Sequence, residues 1–255
     1  MGRVQTPIPG RDDYFSAWAV THGGYDPATG SALVRHWLGL TYRLARPLAA
    51  HSVPPAAVTA AAAALPALAL PLAAAGGRWP LLVALVVAAS GLLDNLDGAV
   101  AILRARASAA GFVLDSVADR VADGLYLIAL WLLGAPGWLV VAAGAAVGLL
   151  EYTRARAGNA GLGEIGVVTV GERPTRVIIA VAGPLAAGCL PGLREPVAAA
   201  AAAGTLAVAV VGLGQLTAVL RRVLGGRPER AGRRGPEDVA GGSGKNGGGP
   251  PARRS

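Results

Sequence analysis

The chain has 255 residues, of which 53% are hydrophobic and 15% charged, with a mean hydropathy of +0.50 and a formal net charge of +8. A soluble domain carries nearer a quarter charged residues, and the single cysteine, Cys189, excludes an internal disulfide framework. A basic balance suits nucleic acid or an anionic membrane surface; with this apolar content the membrane is expected, and no nucleic-acid partner.

Residues 1–32 are polar, with Gly, Pro and Asp scattered among aromatics. No cleavable signal peptide is evident, because no charged start is followed by an apolar core. This stretch reads either as a loose arm or as a segment whose Tyr14, Phe15 and Trp18 dip into an interface. Residues 33–47 predict an amphipathic helix. Leu33, Trp37, Leu40 and Leu44 share one face, and Arg35, Arg43 and Arg46 lie elsewhere. That pattern suits a helix lying in the headgroup layer. Residues 1–47 are therefore read as an arm plus an interfacial helix.

Six apolar segments follow, at approximately 57–75, 80–103, 108–132, 137–157, 174–191 and 196–219. Each is near the roughly 20 residues that cross a bilayer. Pro66 and Pro71 interrupt the first, which a helical bundle tolerates. Pro80, the stretch 134–137 and the stretch 191–196 mark tight connections. The expected fold is all-α: a polytopic membrane bundle of about six transmembrane helices over residues 48–222, preceded by the interfacial helix. Residues 223–255, rich in Gly, Pro and Arg, have too little apolar content to fold and are expected to be a disordered tail.

Arginine placement predicts the orientation. In a six-span arrangement Arg3, Arg11, Arg35, Arg43, Arg46, Arg104, Arg106, Arg154, Arg156, Arg173, Arg176 and the basic tail share one side. The other side has only Arg78 and Arg194. The positive-inside rule then puts both termini in the cytoplasm of a multi-pass cell-membrane protein.

Between Asp94 and Asp123 lie five of the fifteen acidic residues, flanked by apolar runs. Isolated carboxylates are costly in hydrocarbon, so such a group needs compensation. Asp94 and Asp97 are at i and i+3, and Asp115 and Asp119 at i and i+4, so each pair shares a helix side. None of the four has a basic partner at helical spacing. Two facing helices would converge four carboxylates on one point, and oxygen-only ligands suit Mg²⁺ or Mn²⁺ rather than zinc. Two divalent ions would neutralise them. Gly98 and Gly111 sit where a phosphate or a facing backbone approaches closely. Asp123 continues the i+4 ladder and is open to three roles: substrate binding, pairing with an arginine, or facing interfacial water. Arg120 lies on a different face from Asp119 and is placed to balance charge between helices. His22, His36 and His51 show no ligand spacing. No nucleophilic triad, P-loop or redox pair is present.

The pattern Asp94-x-x-Asp97-Gly98-x-x-Ala101 followed by Gly111-x-x-x-Asp115-x-x-x-Asp119 resembles the signature of the CDP-alcohol phosphatidyltransferases. The chain departs from it after Ala101, where Ile102 replaces the usual Arg; Arg104 and Arg106 lie just beyond. Ser108 falls where such enzymes place a hydroxyl near the nucleotide. The segments around Tyr152, Arg154 and Arg156 and at Glu172-Arg173-Pro174 resemble those of phosphatidylinositol-phosphate synthases. The stretch 53–59 also resembles a family segment, with Ala56 where Asn is common.

The resemblance implies a reaction. CDP-diacylglycerol would present its pyrophosphate to two metal ions, one held by Asp94, Asp97 and Asp115, the other by Asp94, Asp115 and Asp119. Asp119 would also accept the proton of the attacking hydroxyl. Gly98, Arg104, Ser108 and Gly111 are the nucleotide and pyrophosphate candidates. Arg154, Arg156, Arg173 and Arg176 are candidates for holding a phosphorylated acceptor, because guanidinium pairs with phosphate in fork geometry; ordinary positive-inside anchoring is the other reading of them. Inositol phosphate leads as acceptor polyol and glycerol phosphate follows. A homodimer is implied as well. The rival classes are a divalent-cation transporter, which would spread acids through the membrane depth, and a catalytically inactive homologue, to which Ile102 lends support.

Overall fold

Alanine, leucine and valine dominate the six apolar segments, and a backbone without water must satisfy its own hydrogen bonds, so helix is the required local structure. The computed structural model describes residues 8–21, 26–27, 29–162 and 169–225, and all regular structure there is helical. Helices α1 (Arg11–Thr21) and α2 (Ala32–Ala50) precede the bundle. Next come α3 (Pro55–Ala64) and α4 (Ala69–Ala75), joined by a 3₁₀ turn at Leu65–Leu68. Then follow α5 (Pro80–Leu103), α6 (Ala109–Leu132), α7 (Gly137–Ala157), α8 (Arg173–Cys189) and α9 (Arg194–Gly225). The 3₁₀ turn falls at Pro66, which has no N–H to give to the helical ladder.

Three described helical stretches are long and apolar enough to cross a membrane: Pro55–Ala75, Pro80–Leu103 and Pro191–Leu224. The intervening α6, α7 and α8 carry charge within the helix, including Asp115, Asp119, Arg120 and Asp123 on α6 and Glu151 on α7. Large apolar side chains nevertheless point outward on both kinds of helix: Leu85, Val141, Ile178 and Val210 are all more than half exposed.

Two buried clusters hold the bundle. One joins α4 to α9 around Val83, Val87, Leu130, Leu133, Ala143 and Ala202. The other joins α1, α2, α3 and α5 around Tyr14, Phe15, Leu38, Val58, Leu96 and Val100. Small residues permit close approach of helices. At Gly188 of α8 an added Cβ would lie 2.7 Å from Leu81 on α5, so this crossing needs the glycine.

The N-terminal stretch differs from both expectations held for it. Residues 11–21 are helical, and Tyr14 and Phe15 are packed into the protein, at 1% and 6% exposure, rather than loose or interfacial. Tyr14 stacks against Tyr42 with ring centroids 5.5 Å apart, and burial pushes its phenol up to about 12. Alternating polar and aromatic residues give α1 no clear apolar stripe, so periodicity did not reveal it. On α2, Leu40 and Leu44 are exposed and Trp37 is exposed apart from its indole N–H, which donates to Asn95 Oδ1 on α5 at 3.4 Å, while Leu38, Thr41 and Ala45 face inward. At the other end α9 continues through Gly225, past the expected start of the tail at 223. The remaining tail, 226–255, and Arg3 and His22 lie outside the described residues.

Candidate metal and phosphate site

The second half of α5 carries Asp94 and Asp97, and the first half of α6 carries Asp115 and Asp119. Ser108 starts α6 by N-capping: its Oγ accepts from the Gly111 N–H at 3.1 Å. Facing helices bring Asp94, Asp115 and Asp119 together, with one carboxylate oxygen of each within 4.8 Å of the others. Asp97 lies apart from that trio. It is 6% exposed and accepts a hydrogen bond of 2.5 Å from Thr59 Oγ1 on α3.

Arg173, the first residue of α8, reaches into the trio. Its Nη1 pairs with Asp94 Oδ2 and lies 2.8 Å from Asp119 Oδ1. Even so, Asp119 Oδ1 is buried and makes no hydrogen bond. Three converging carboxylates with one guanidinium remain short of positive charge. All donors are oxygen, which matches hard divalent cations such as Mg²⁺ and Mn²⁺. On those two grounds the residues fit a divalent metal.

Beside the trio is a cavity of about 260 Å³ whose lining includes Asp97, Gly98, Arg106, Ser108, Gly111 and Asp115. Among the described residues, nothing beyond Gly98's chain neighbours and its own helix backbone lies within 4 Å of where its Cβ would stand, so the glycine leaves its space to the cavity rather than to a facing helix. Ile102 also lines the cavity, making its wall apolar where an arginine was expected. Arg104 does not line it. That side chain instead donates to the carbonyls of Ser52 and Val53, at 2.6 and 2.7 Å, tying the end of α5 to the α2–α3 connection. Arg106, two residues further on in the α5–α6 connection, is the guanidinium at the cavity.

The four acceptor candidates separate. Arg173 is at the trio. Arg176, at 3% exposure, is locked inside the bundle by Asp123 at 3.2 Å, Glu151 at 2.9 Å and the Gly171 carbonyl. Arg154 pairs with Glu172 at 2.7 Å and with Glu151 at 3.8 Å. Arg156 is exposed. Of the three roles open to Asp123, the structure shows arginine pairing, with Arg176 and also with Arg120 at 3.3 Å. Arg120 links α6 to Glu151 on α7 at 3.2 Å, the interhelical balance expected of it. Among the described residues, His36 bonds the Ala32 carbonyl and the capping His51 bonds the Pro47 carbonyl, both within the α2 segment.

Sequence reasoning missed Thr59 as the partner of Asp97 and Glu151 as the meeting point of three arginines. It also missed Ser90, which donates to the Ala62 carbonyl and bonds Tyr126 Oη at 2.9 Å. A lone Glu at the end of an apolar run is the one signal that could have found Glu151.

The model of the CDP-alcohol phosphatidyltransferase family matches residues 51–215. An archaetidylinositol phosphate synthase of Methanothermobacter thermautotrophicus is 44% identical over 104 residues, covering 40% of this chain and 52% of that protein. A phosphatidylinositol phosphate synthase of Mycobacteroides abscessus is 39% identical over 104 residues, 38% of this chain and 46% of its own. The chain thus spans about half the length of these curated relatives. Among solved structures, phosphatidylinositol phosphate synthase of Mycobacterium tuberculosis with CDP-DAG bound superposes with a TM-score of 0.59 at 27% identity, covering 76% of this chain and 98% of that one. The same enzyme in complex with manganese and citrate gives 0.59 and 27%, over 76% of this chain and 93% of the other.

Proposed function

From the premise that this chain belongs to the CDP-alcohol phosphatidyltransferase family, we propose that it transfers a lipid-phosphoryl group from CDP-diacylglycerol to a hydroxyl of inositol phosphate, releasing CMP. The observation that carries this reading is the gathering of Asp94, Asp115 and Asp119 beside a cavity of about 260 Å³ whose lining includes Gly98, Ser108 and Gly111. The named relatives differ in the lipid half of their product and agree on inositol phosphate, and the structural neighbour binds CDP-DAG. Glycerol phosphate is the second acceptor.

In this reading Asp94, Asp115 and Asp119 would hold divalent metal, with Asp97 completing a two-ion site. Bound metal supplies charge withdrawal from the phosphoryl oxygens and eases departure of CMP. The chain's own groups do the rest. The open space at Gly98 leaves room for the pyrophosphate, Gly111 lines the same cavity, and Arg106 sets positive charge at its edge. Asp119, whose Oδ1 pairs with Arg173 at 2.8 Å, would take the proton from the attacking hydroxyl once that pairing opens, because a hydroxyl is a poor nucleophile while protonated. In the same proposal Arg173 and Arg156 would hold the acceptor phosphate. Arg154 and Arg176 act behind them by fixing α7 and α8 through Glu151, Glu172 and Asp123.

The finer membrane arrangement is part of the same proposal. Six spans, formed by α3–α4 together and by α5 to α9, would cross the cell membrane with both termini cytoplasmic. The outward apolar residues of α5, α7, α8 and α9 support it, and Trp37, Leu40 and Leu44 suit α2 to the headgroup layer. A homodimer completes the picture, checked by light scattering in detergent.

The test is CMP release by purified protein from CDP-diacylglycerol, with and without Mn²⁺ or Mg²⁺. We expect metal-dependent release with inositol phosphate, faster than with free inositol. Metal-dependent release with a different alcohol would replace the acceptor. Release with no acceptor tested would favour cation transport or an inactive homologue.

A further inference from the structure

The trio of aspartates already holds a cation, and it is one that cannot be discharged. Arg173 touches both Asp94 and Asp119 from α8, and a guanidinium stays protonated at any pH a protein tolerates. A divalent ion and this guanidinium therefore require the same two carboxylates. The side chain is 16% exposed and rooted at the first residue of its helix, beside Pro174.

We propose that Arg173 is an internal competitor for the metal site: it holds Asp94 and Asp119 together while no metal is bound and must be displaced before a divalent ion can take both. Removing it then has two opposite effects. The metal-free protein loses the charge that reconciles converging carboxylates, and the site gains affinity for metal because nothing has to be expelled. Ordinary acceptor recognition by Arg173 predicts neither effect, since no acceptor need be present.

This inference rests on the proposed metal role of the trio, and the test separates the two. Mn²⁺ binding to the full-length protein in detergent is followed by electron paramagnetic resonance, without nucleotide or acceptor, for wild type, Arg173→Gln and Arg173→Lys. We expect Arg173→Gln to bind Mn²⁺ about tenfold more tightly, within the usual range of coupling between competing ligands, and to melt at lower temperature until Mn²⁺ is added. Arg173→Lys keeps the charge and should stay close to wild type. Equal or weaker binding by Arg173→Gln overturns the competitor role, while no Mn²⁺ binding by wild type overturns the metal site itself. Should Arg173→Gln fail to fold, the wild-type protein still decides. The Arg173 Nη–H signals, from the nitrogen that pairs with Asp94 and Asp119 and assigned by their loss in Arg173→Lys, should lose exchange protection on adding Mg²⁺. Retained protection at saturating Mg²⁺ overturns the proposal.

Discussion

Asp123 and Glu151 sit among arginines. Each meets Arg120 and Arg176 at 2.9–3.3 Å, and Arg154 approaches Glu151 as well. One helical turn along α6, the trio of Asp94, Asp115 and Asp119 is organised in the opposite way. Three carboxylates converge on one principal guanidinium, that of Arg173, with Arg120 only at 3.7 Å from Asp119. Both groups are carboxylates in an apolar bundle, so composition does not tell them apart. Charge balance does. The first cluster is neutralised from within and fastens α6, α7 and α8 to one another. The second is left electron-rich beside a cavity, which is the condition of a site awaiting a cation.

The largest expected effect lies in the unbalanced cluster. Asp119→Asn should lower CMP release at least about a hundredfold, the usual scale for loss of a positioned base, with the thermal transition kept. Loss of folding instead would make Asp119 a structural group like Asp123. In the balanced cluster the expectation reverses. Arg176→Ala leaves buried Asp123 and half-buried Glu151 with Arg120 as their remaining shared partner and should lower stability, by at most about 3–5 kcal/mol, read by detergent-solubilised thermal unfolding. Adding Asp123→Asn should restore part of that, and no recovery would break the idea of internal neutralisation.

Thr59→Val is the intermediate case. It leaves the Asp97 carboxylate buried without its 2.5 Å partner, at a cost of about 1–3 kcal/mol. Thr59→Ser should be close to neutral, because the hydroxyl is what matters. The smallest effect is expected at Arg104, whose two carbonyl contacts lie at the protein edge. Arg104→Ala should cost about 1 kcal/mol and leave nucleotide affinity unchanged, whereas Arg106→Ala should weaken CDP binding. Equal loss of binding in both would return Arg104 to the phosphate role.

The aspartate spacing made α5, α6 and their shared face legible, because i+3 and i+4 intervals are local facts of a helix. Apolar run lengths did the same for the bounds of α5 and α7. Arg173 and Asp94 are 79 positions apart, and no local period reports which helix a side chain from α8 will meet. The same holds for Thr59 and Asp97, 38 apart. Tyr14 and Phe15 were illegible for another reason. Their burial depends on a groove that α2 and α5 create, and the surrounding residues are polar.

The length of α9 has a consequence for how the molecule sits. Its 32 residues extend about 48 Å at 1.5 Å each, against roughly 30 Å of hydrocarbon. Absorbing the surplus by leaning alone would take about 50°, steeper than the 0–40° at which such rods lie. If α9 spans, about 9 Å of it, between one and two turns, still lies beyond the hydrocarbon even at 40°. Arg194 and Glu195 open the rod and Arg221 and Arg222 close it, so its ends are already dressed for that exit.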